Sequence, residues 1–429
     1  MSIGTDDSRP LSSRDQTAIV IGGGVIGCTT AYYLSRLGWK VRIVEADRVG
    51  RGCSHGNCGF ICPSHVLPLT MPGTLWPAMK RMFRRDSAMY LKPRWDPALW
   101  AWLMRFARTC RRADVMQVAA ARHALLSSSM SLYRQLMTDE PLDIEWQDRG
   151  LLLVFQSPRE FDEHQHVAEL VNNQFHIAAK PFDARQLIDF EPALRSGPAG
   201  GWHYTGDAHL RPDRLMTALS PVLRSRGVEI LEGTSVSRIV LENGRARAVE
   251  TSAGSMQADA VVLAAGARSP AFAAQLGCRI PIQPGKGYSI TLPRPNIAPK
   301  TPIIFEEYHV AVTPWASGIR VGSTMEFAGY NSAINARRIA LFKRVAEENL
   351  VEAPNGAVEE EWCGWRPMTF DDLPCIGPAP NVPNVIIAAG HGMIGMATGP
   401  ATGKLAAELV AAQKPHIDPS PYSLRRFES

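Results

Sequence analysis

The sequence predicts an α/β plus α+β chain: a Rossmann-like nucleotide-binding domain interrupted by a second domain with a mixed or antiparallel sheet. Three observations lead there. A strand, glycine turn, helix and strand open the chain at TAIVIGGGVIGCTTAYYLSRLGWKVRIVEAD. A strand, glycine turn and helix close it at NVIIAAGHGMIGMATGPATGKLAAELVAA, and the apolar strand DAVVLAAGA lies between. Nucleotide-domain segments are therefore expected at 17–63, 205–279 and 363–415. The inserted domain takes 64–204 and 280–362, and the polar residues 1–16 are expected to be disordered.

The first unit carries the most information. Residues 18–21 are an unbroken apolar run, as a strand buried on both faces requires. Gly22, Gly24 and Gly27 follow at G-x-G-x-x-G spacing, with Val25 and Ile26 inside the turn. Gly22 allows the tight turn, Gly24 lets backbone approach a pyrophosphate, and Gly27 lets helix pack on strand. The helix expected over 27–37 presents free N–H groups and a partial positive charge to a phosphate. The strand VRIVE ends at Glu45, next to Ala46, where a carboxylate can accept hydrogen bonds from ribose hydroxyls and disfavours a 2′-phosphate.

The middle, 64–204, reads as helical with irregular turns. WDPALWAWLMRFARTCRR places Leu99, Trp102, Leu103, Phe106 and Cys110 on one helical face, with Arg105, Arg108, Arg111 and Arg112 near its end. A core-facing helix with arginines at its C-terminal dipole is favoured over a membrane-surface or quinone-docking helix. From Pro212 the α/β pattern returns, with a helix ended by Gly227, then strands joined by a hairpin at Asn243-Gly244. Residues 280–362 read as strands and loops.

Composition narrows the partners. A net charge of +5 with no dominant Lys/Arg block gives no footprint for nucleic acid. Eight cysteines in so long a chain, after a start without an apolar signal segment, suggest reduced thiols and a cytoplasmic setting. No apolar run approaches a membrane-spanning length. Peripheral contact with the inner face of the plasma membrane and homo-oligomerisation stay open.

The second glycine turn, Gly390, Gly392 and Gly395 with Met393 and Ile394, opens a helix whose N-terminus suits the anionic edge of a reduced flavin. Two such turns favour FAD over NAD: one takes the pyrophosphate and the other the flavin. Arg366 stands about two dozen residues upstream of that turn. It can clamp a substrate carboxylate or pair with Asp371 or Asp372.

IVIGGGVIGCTTAYYL, VVLAAGA, GKGYSIT, GWRPMTFDDLPCIG and GHGMIGMATGPATGKLAAELV together resemble the FAD-dependent D-amino-acid dehydrogenases of the glycine oxidase and D-amino-acid oxidase superfamily. The resemblance implies non-covalent FAD and oxidation of a D-amino acid to the imino acid, which water hydrolyses to the 2-oxo acid. A quinone or other carrier is the expected electron acceptor. It implies that Arg366 binds the substrate carboxylate and that Tyr288 and Tyr308 lie near the pocket. Val236, Ala265 and Gly266 are expected at the cofactor. His391 is a weak base candidate, since a base needs reach to its proton. The run CPSHVLPL resembles members that act on D-proline or cis-4-hydroxy-D-proline. Non-catalytic FAD-binding or metal-containing electron-transfer subunits are the rival classes.

GRGCSHGNCGFIC gathers Cys53, Cys58, Cys62 and His55, but lacks a compact C-x2-C knuckle and a second cluster, so no metal is expected. In the resembled family this loop runs to the flavin as Ser-x-x-Asn-x-Gly, matched here by Ser54, Asn57 and Gly59. The cysteines then read as small buried residues, with a redox or covalent role left open.

Overall fold

The computed structural model describes residues 16–70, 89–92, 94–110 and 112–428. Residues 1–15 of the expected disordered tail, together with Arg111 and the side chain of Arg112, lie outside them. In chain order the strands are β1 Thr17–Ile21, β2 Lys40–Val44, β3 Phe60–Ile61, β4 Met89–Leu91, β5 Leu151–Phe155, β6 Ala179–Asp183, β7 Gly200–Tyr204, β8 Ala208–His209, β9 Glu229–Leu231 and β10 Val236–Glu242. They continue with β11 Arg245–Thr251, β12 Gly254–Gln257, β13 Ala260–Leu263, β14 Ile282–Leu292, β15 Ile303–Phe305, β16 Val310–Trp315, β17 Gly318–Phe327, β18 Glu360–Thr369, β19 Cys375–Ala379 and β20 Val382–Ala389. The helices are α1 Val25–Arg36, α2 Pro97–Thr109, α3 Arg112–Asp139, α4 Pro158–Phe175, α5 Ala184–Phe190, α6 Pro212–Ser225, α7 Ala336–Asn349 and α8 Gly395–Val410.

The apolar runs read from the sequence form one six-stranded sheet, ordered β19-β20-β13-β1-β2-β9. Strands β20, β13, β1, β2 and β9 run parallel, and β19 closes the edge antiparallel. Both faces are covered, as all-apolar strands demand. Helices α1, α6 and α8 pack on one side with Ala18, Val20 and Val262, while Val249 and Ile239 of the β10-β11-β12 sheet pack on the other with Ile19 and Val261. Because β1, β13 and β20 are parallel, their C-terminal ends share one edge of the sheet. The N-termini of α1 and α8 both open there, where α/β sheets bind ligands.

The second sheet has nine strands, β18-β14-β17-β16-β15-β5-β7-β6, with β4 alongside β17. Helices α2, α3, α4 and α5 bear out much of the helical reading of 64–204, and strands β5, β6 and β7 amend it. Leu151–Phe155 and Gly200–Tyr204 are short, wholly buried runs that periodicity cannot separate from buried helix. One face of this sheet packs Tyr288, Ile290, Val312, Val321 and Phe305 against Phe342 and Val345 of α7. The alternate residues, Gly287, Gly322, Ala311 and Ile304, lie on the other face, and their small size leaves room above the sheet.

Helix α2 behaves as the core-facing reading expects on one side. Leu99 and Trp102 are buried against Met325, Phe327 and Met368. Its other side leaves Trp100 and Met104 exposed, beside Trp95 in the preceding turn. Among the described residues no helix is long and apolar enough to cross a membrane.

Candidate active site

The first glycine turn is built by exclusion of side chains. Gly22 has φ +109°, and a Cβ there would lie 2.5 Å from the carbonyl oxygen of Ala264. A Cβ on Gly27 would lie 1.9 Å from the Gly22 carbonyl. Gly24 differs: a Cβ there meets only Ser54 Oγ, at 3.4 Å. Protein packing therefore dictates Gly22 and Gly27, whereas Gly24 leaves space on the open side, as a close-approaching pyrophosphate needs. Helix α1 has no side-chain cap, so its first-turn amides at Ile26 and Gly27 lack a partner within the helix.

The surrounding segments hold this turn in place. Glu45 accepts hydrogen bonds from Gly23 N–H at 2.7 Å and from Asp47 N–H at 2.9 Å, beside the exposed Ala46. Each carboxylate oxygen retains a further lone pair for a ribose hydroxyl. Ser54 Oγ accepts from Val25 N–H at 3.0 Å, and Asn57 Oδ1 accepts from Gly59 N–H at 2.7 Å. Ala265 and Gly266, the latter at φ +54°, follow β13 against Gly22. Val236 begins β10 two residues after Thr234, whose N–H donates to the Glu45 carbonyl at 2.9 Å.

The second turn mirrors the first. Gly390 and Gly392 take φ +85° and +55°, and α8 begins at Gly395 without a side-chain cap. Met393 and Ile394 of this turn line a cavity of about 1460 Å³, larger than the usual small-ligand pocket. It has room for a flavin ring system and a substrate. The cavity meets the uncapped start of α8, while the uncapped start of α1 and the carboxylate at the end of β2 lie outside its wall; the first suits the flavin and the second the dinucleotide part of FAD.

Arg366 reaches this cavity from β18. Its guanidinium lies over Gly287, where a Cβ would stand 2.5 Å from Cζ, and donates to the Thr324 carbonyl at 2.6 Å and the Ser323 carbonyl at 3.4 Å. Ser323 and Thr324 hold φ of +100° and +45°, a strained pair for non-glycine residues, at a bulge where β14 and β17 slip register. That strain turns two carbonyls toward one guanidinium, and strain of this kind gathers at functional sites.

The acidic partners that sequence allowed for Arg366 are taken. Asp371 pairs with Arg426 at 2.7 Å and Asp372 with Arg122 at 2.7 Å. Among the described residues no carboxylate neutralises Arg366, and its uncovered surface faces the cavity. Burial pushes its pKa down, yet a guanidinium stays charged, so the site carries an uncompensated cation. Thr324 also lines the cavity, and its buried Oγ1 has no hydrogen-bond partner among the described residues.

The other sequence-predicted residues separate. Tyr308 lines the cavity in the turn between β15 and β16. Tyr288 does not reach it: its side chain is buried on the α7 face and donates to Glu326 Oε2 at 2.6 Å. One step along a strand flips the face, and Gly287 is the position that lies under the Arg366 guanidinium. His391 is also turned away. It is buried against Thr402 Oγ1 at 3.0 Å, and burial lowers its pKa to about 3, so it is neutral and outside the cavity wall.

Sequence reasoning missed several wall residues. Trp362 spreads between Gly56 and Gly364, where a Cβ would lie 2.0 and 2.2 Å from its ring atoms. Gly364 is close to it in the sequence, but Gly56 meets it only in the fold, so the sequence carried little signal. His65, Glu306 and the Ser323–Thr324 bulge carried none. The loop cysteines do not assemble a common ligand set. Cys53 and Cys58 lie near Arg366, whereas Cys62 lies with His65 and Asp207, the trio whose donor atoms fall within 4.8 Å of one another. Asp207 already accepts from Ser64 N–H at 3.1 Å and Ser64 Oγ at 2.5 Å. Burial raises all three thiol pKa values, Cys53 to about 11, so they stay protonated at neutral pH and are poor nucleophiles.

A doubly covered parallel sheet with two glycine-rich turns and a cationic cavity beyond them defines an FAD-dependent oxidoreductase. The chain matches the DAO family of FAD dependent oxidoreductases over residues 17–409 and belongs to that family. It is 32% identical over 412 residues to a D-amino acid dehydrogenase from Methylobacterium nodulans, covering 93% of this chain and 96% of that one. With the D-amino acid dehydrogenase of Chromohalobacter salexigens it shares 33% identity over 427 residues, 95% of this chain and 99% of that one. Glycine oxidase from Geobacillus kaustophilus has the same fold, with a TM-score of 0.78 at 21% identity over 95% of this chain and 98% of its own. L-proline dehydrogenase from P. horikoshii gives 0.73 at 20% identity, over 96% and 98%.

Proposed function

We propose that the protein oxidises a D-amino acid to the imino acid, which water converts to the 2-oxo acid, and passes the electrons to a quinone or other carrier. The observation that carries this reading is the cavity-facing Arg366 guanidinium with no carboxylate partner among the described residues. The names of the full-length relatives support the D-amino acid. Bound FAD supplies a two-electron acceptor, held by the Gly22–Gly27 turn, Glu45, Ser54, Asn57 and the Gly390–Gly395 turn.

The chain's own residues orient and shield the substrate. Arg366 takes the α-carboxylate through its free N–H groups, which fixes Cα within the cavity, and the Thr324 carbonyl steadies the guanidinium. Tyr308 contributes a hydroxyl to the wall. Trp362, Leu67, Leu69 and Ile394 line the cavity with apolar surface and keep water off the reacting carbon. His391 has no part in proton transfer, being neutral and turned away. Exposed Trp95, Trp100 and Met104 support a hydrophobic acceptor such as a quinone approaching at α2.

Anaerobic mixing with matched D- and L-amino acids tests the proposal. The visible flavin band should bleach with D-enantiomers and persist with L-enantiomers. A flavin left oxidised by every D-amino acid supplied would refute it.

A further inference from the structure

We propose that Glu306 selects the substrate's side chain. Its carboxylate receives a hydrogen bond from a donor, hydroxyl or ammonium, that the D-amino or D-imino acid carries away from its α-carboxylate. The inference rests on the D-amino-acid reading above and names the substrate class within it.

The strand ladder fixes the geometry. Ser323 of β17 pairs with Val310 of β16, and Val310 pairs with Phe305 of β15. One step further, Thr324, His309 and Glu306 stand at one level, and the His309 N–H donates to the Glu306 carbonyl across the turn at 3.1 Å. Phe305 points to the α7 core, so its neighbours Ile304 and Glu306 point to the cavity, and both line it. The Arg366 guanidinium rests on the Thr324 carbonyl. Glu306 therefore faces the same space from two strand spacings away, roughly 10 Å. A donor on the side chain of a substrate held by its carboxylate at Arg366 can turn toward that wall.

Glu306 is also unspent. Its carboxylate accepts no hydrogen bond from a described residue. Glu307 gives its Oε1 to the amides of Gln156 and Ser157 at 2.7 and 2.9 Å, and His164 Nε2 is engaged with the Tyr204 hydroxyl at 2.9 Å. Burial, with the like charges of Glu307 and Glu160, raises the Glu306 pKa to about 7. A half-buried carboxylate in the cavity wall with no donor from a described residue can accept one brought by a ligand.

The test uses holoenzyme and two matched pairs, D-serine with D-alanine and cis-4-hydroxy-D-proline with D-proline, on the wild type, Glu306→Gln and Glu306→Leu. The wild type should favour the hydroxylated member of a pair. Glu306→Leu should lower kcat/KM for that member by about 10- to 150-fold, the scale of a hydrogen bond to a charged group, and leave the unsubstituted member within about threefold. Glu306→Gln keeps an acceptor and should fall between, and it decides the matter if Glu306→Leu fails to retain FAD. Equal losses for both members, as an α-amine contact would give, or no loss, overturn the assignment while leaving the deamination reading intact. A wild-type flavin that none of these D-amino acids reduces brings down both.

Discussion

The two ends of the ligand space are made from different material. At the cofactor end, the six-stranded sheet offers backbone: amides at two helix starts, and glycines whose missing side chains let strand, turn and ligand converge. At the substrate end, the nine-stranded sheet offers side chains from distant parts of the chain, with Arg366, Thr324, Tyr308 and Glu306 gathered on one face. The first end should fail when atoms are added, and the second when they are removed.

The sharpest test of that contrast is a methyl group at the cofactor end. Gly27→Ala places a Cβ 1.9 Å from the Gly22 carbonyl, and backbone cannot step aside. The expected result is a loss of about 3 kcal/mol or more and protein purified largely without FAD, read from thermal melting and the visible spectrum. Removal should dominate at the other end. Arg366→Ala should lower kcat/KM for a D-amino acid by about 10²- to 10³-fold with FAD content unchanged, and Arg366→Lys should recover only part, since the fork is lost. Normal turnover in Arg366→Ala would dissolve the contrast.

Gly287→Ala joins the two logics, because the atom it adds meets a flexible guanidinium rather than backbone. It should raise KM about tenfold and leave FAD in place. A weaker, global effect follows from buried histidines. Burial lowers the pKa of His65, His164 and His209 to about 4, and of His391 to about 3. Unfolded histidines bind protons below about pH 6.5. Stability from these groups is full above that pH and is lost as pH falls toward 4. Asp207 and Glu306, both raised to about 7, act in the opposite direction over part of this range. Buried Glu191 and Asp372 are raised as well, and the melting temperature should decline from pH 6.5 to 4 because the downward shifts of the histidines are the larger set. Smallest of all, Cys53→Ser and Cys58→Ser should change turnover less than about twofold, as protonated thiols without a chemical task predict.

The same division decides what sequence could reveal. A backbone site needs glycines at fixed short spacing, and those are written contiguously: β1, α1 and β2 end within a residue or two of expectation, as does the helix from Pro212. A side-chain site needs strand pairings, and these are not local. Strand β5 lies parallel to β15, some 150 residues later, and no periodicity records that. Arg366 stood out by its place upstream of the second glycine turn and by resemblance, and it does line the cavity, yet Tyr288 was assigned the wrong face, since a strand in a two-sided sheet gives no clue to its phase. Glu306 looked like one acid among many until its neighbours proved occupied.

One hydrogen bond has a wider meaning. Gly392 N–H donates to the Pro367 carbonyl at 2.9 Å, and Met368 bridges His391, so the strand that carries Arg366 is riveted to the turn that opens α8. The proposed anchor for the substrate and the edge proposed to meet the cofactor are thus jaws of one calliper, joined by backbone hydrogen bonds. The opposite wall, at Glu306, hangs on a separate hairpin. A chain built this way can retool its preference among substrates by exchanging that hairpin, while the alignment of the reacting atoms is inherited unchanged.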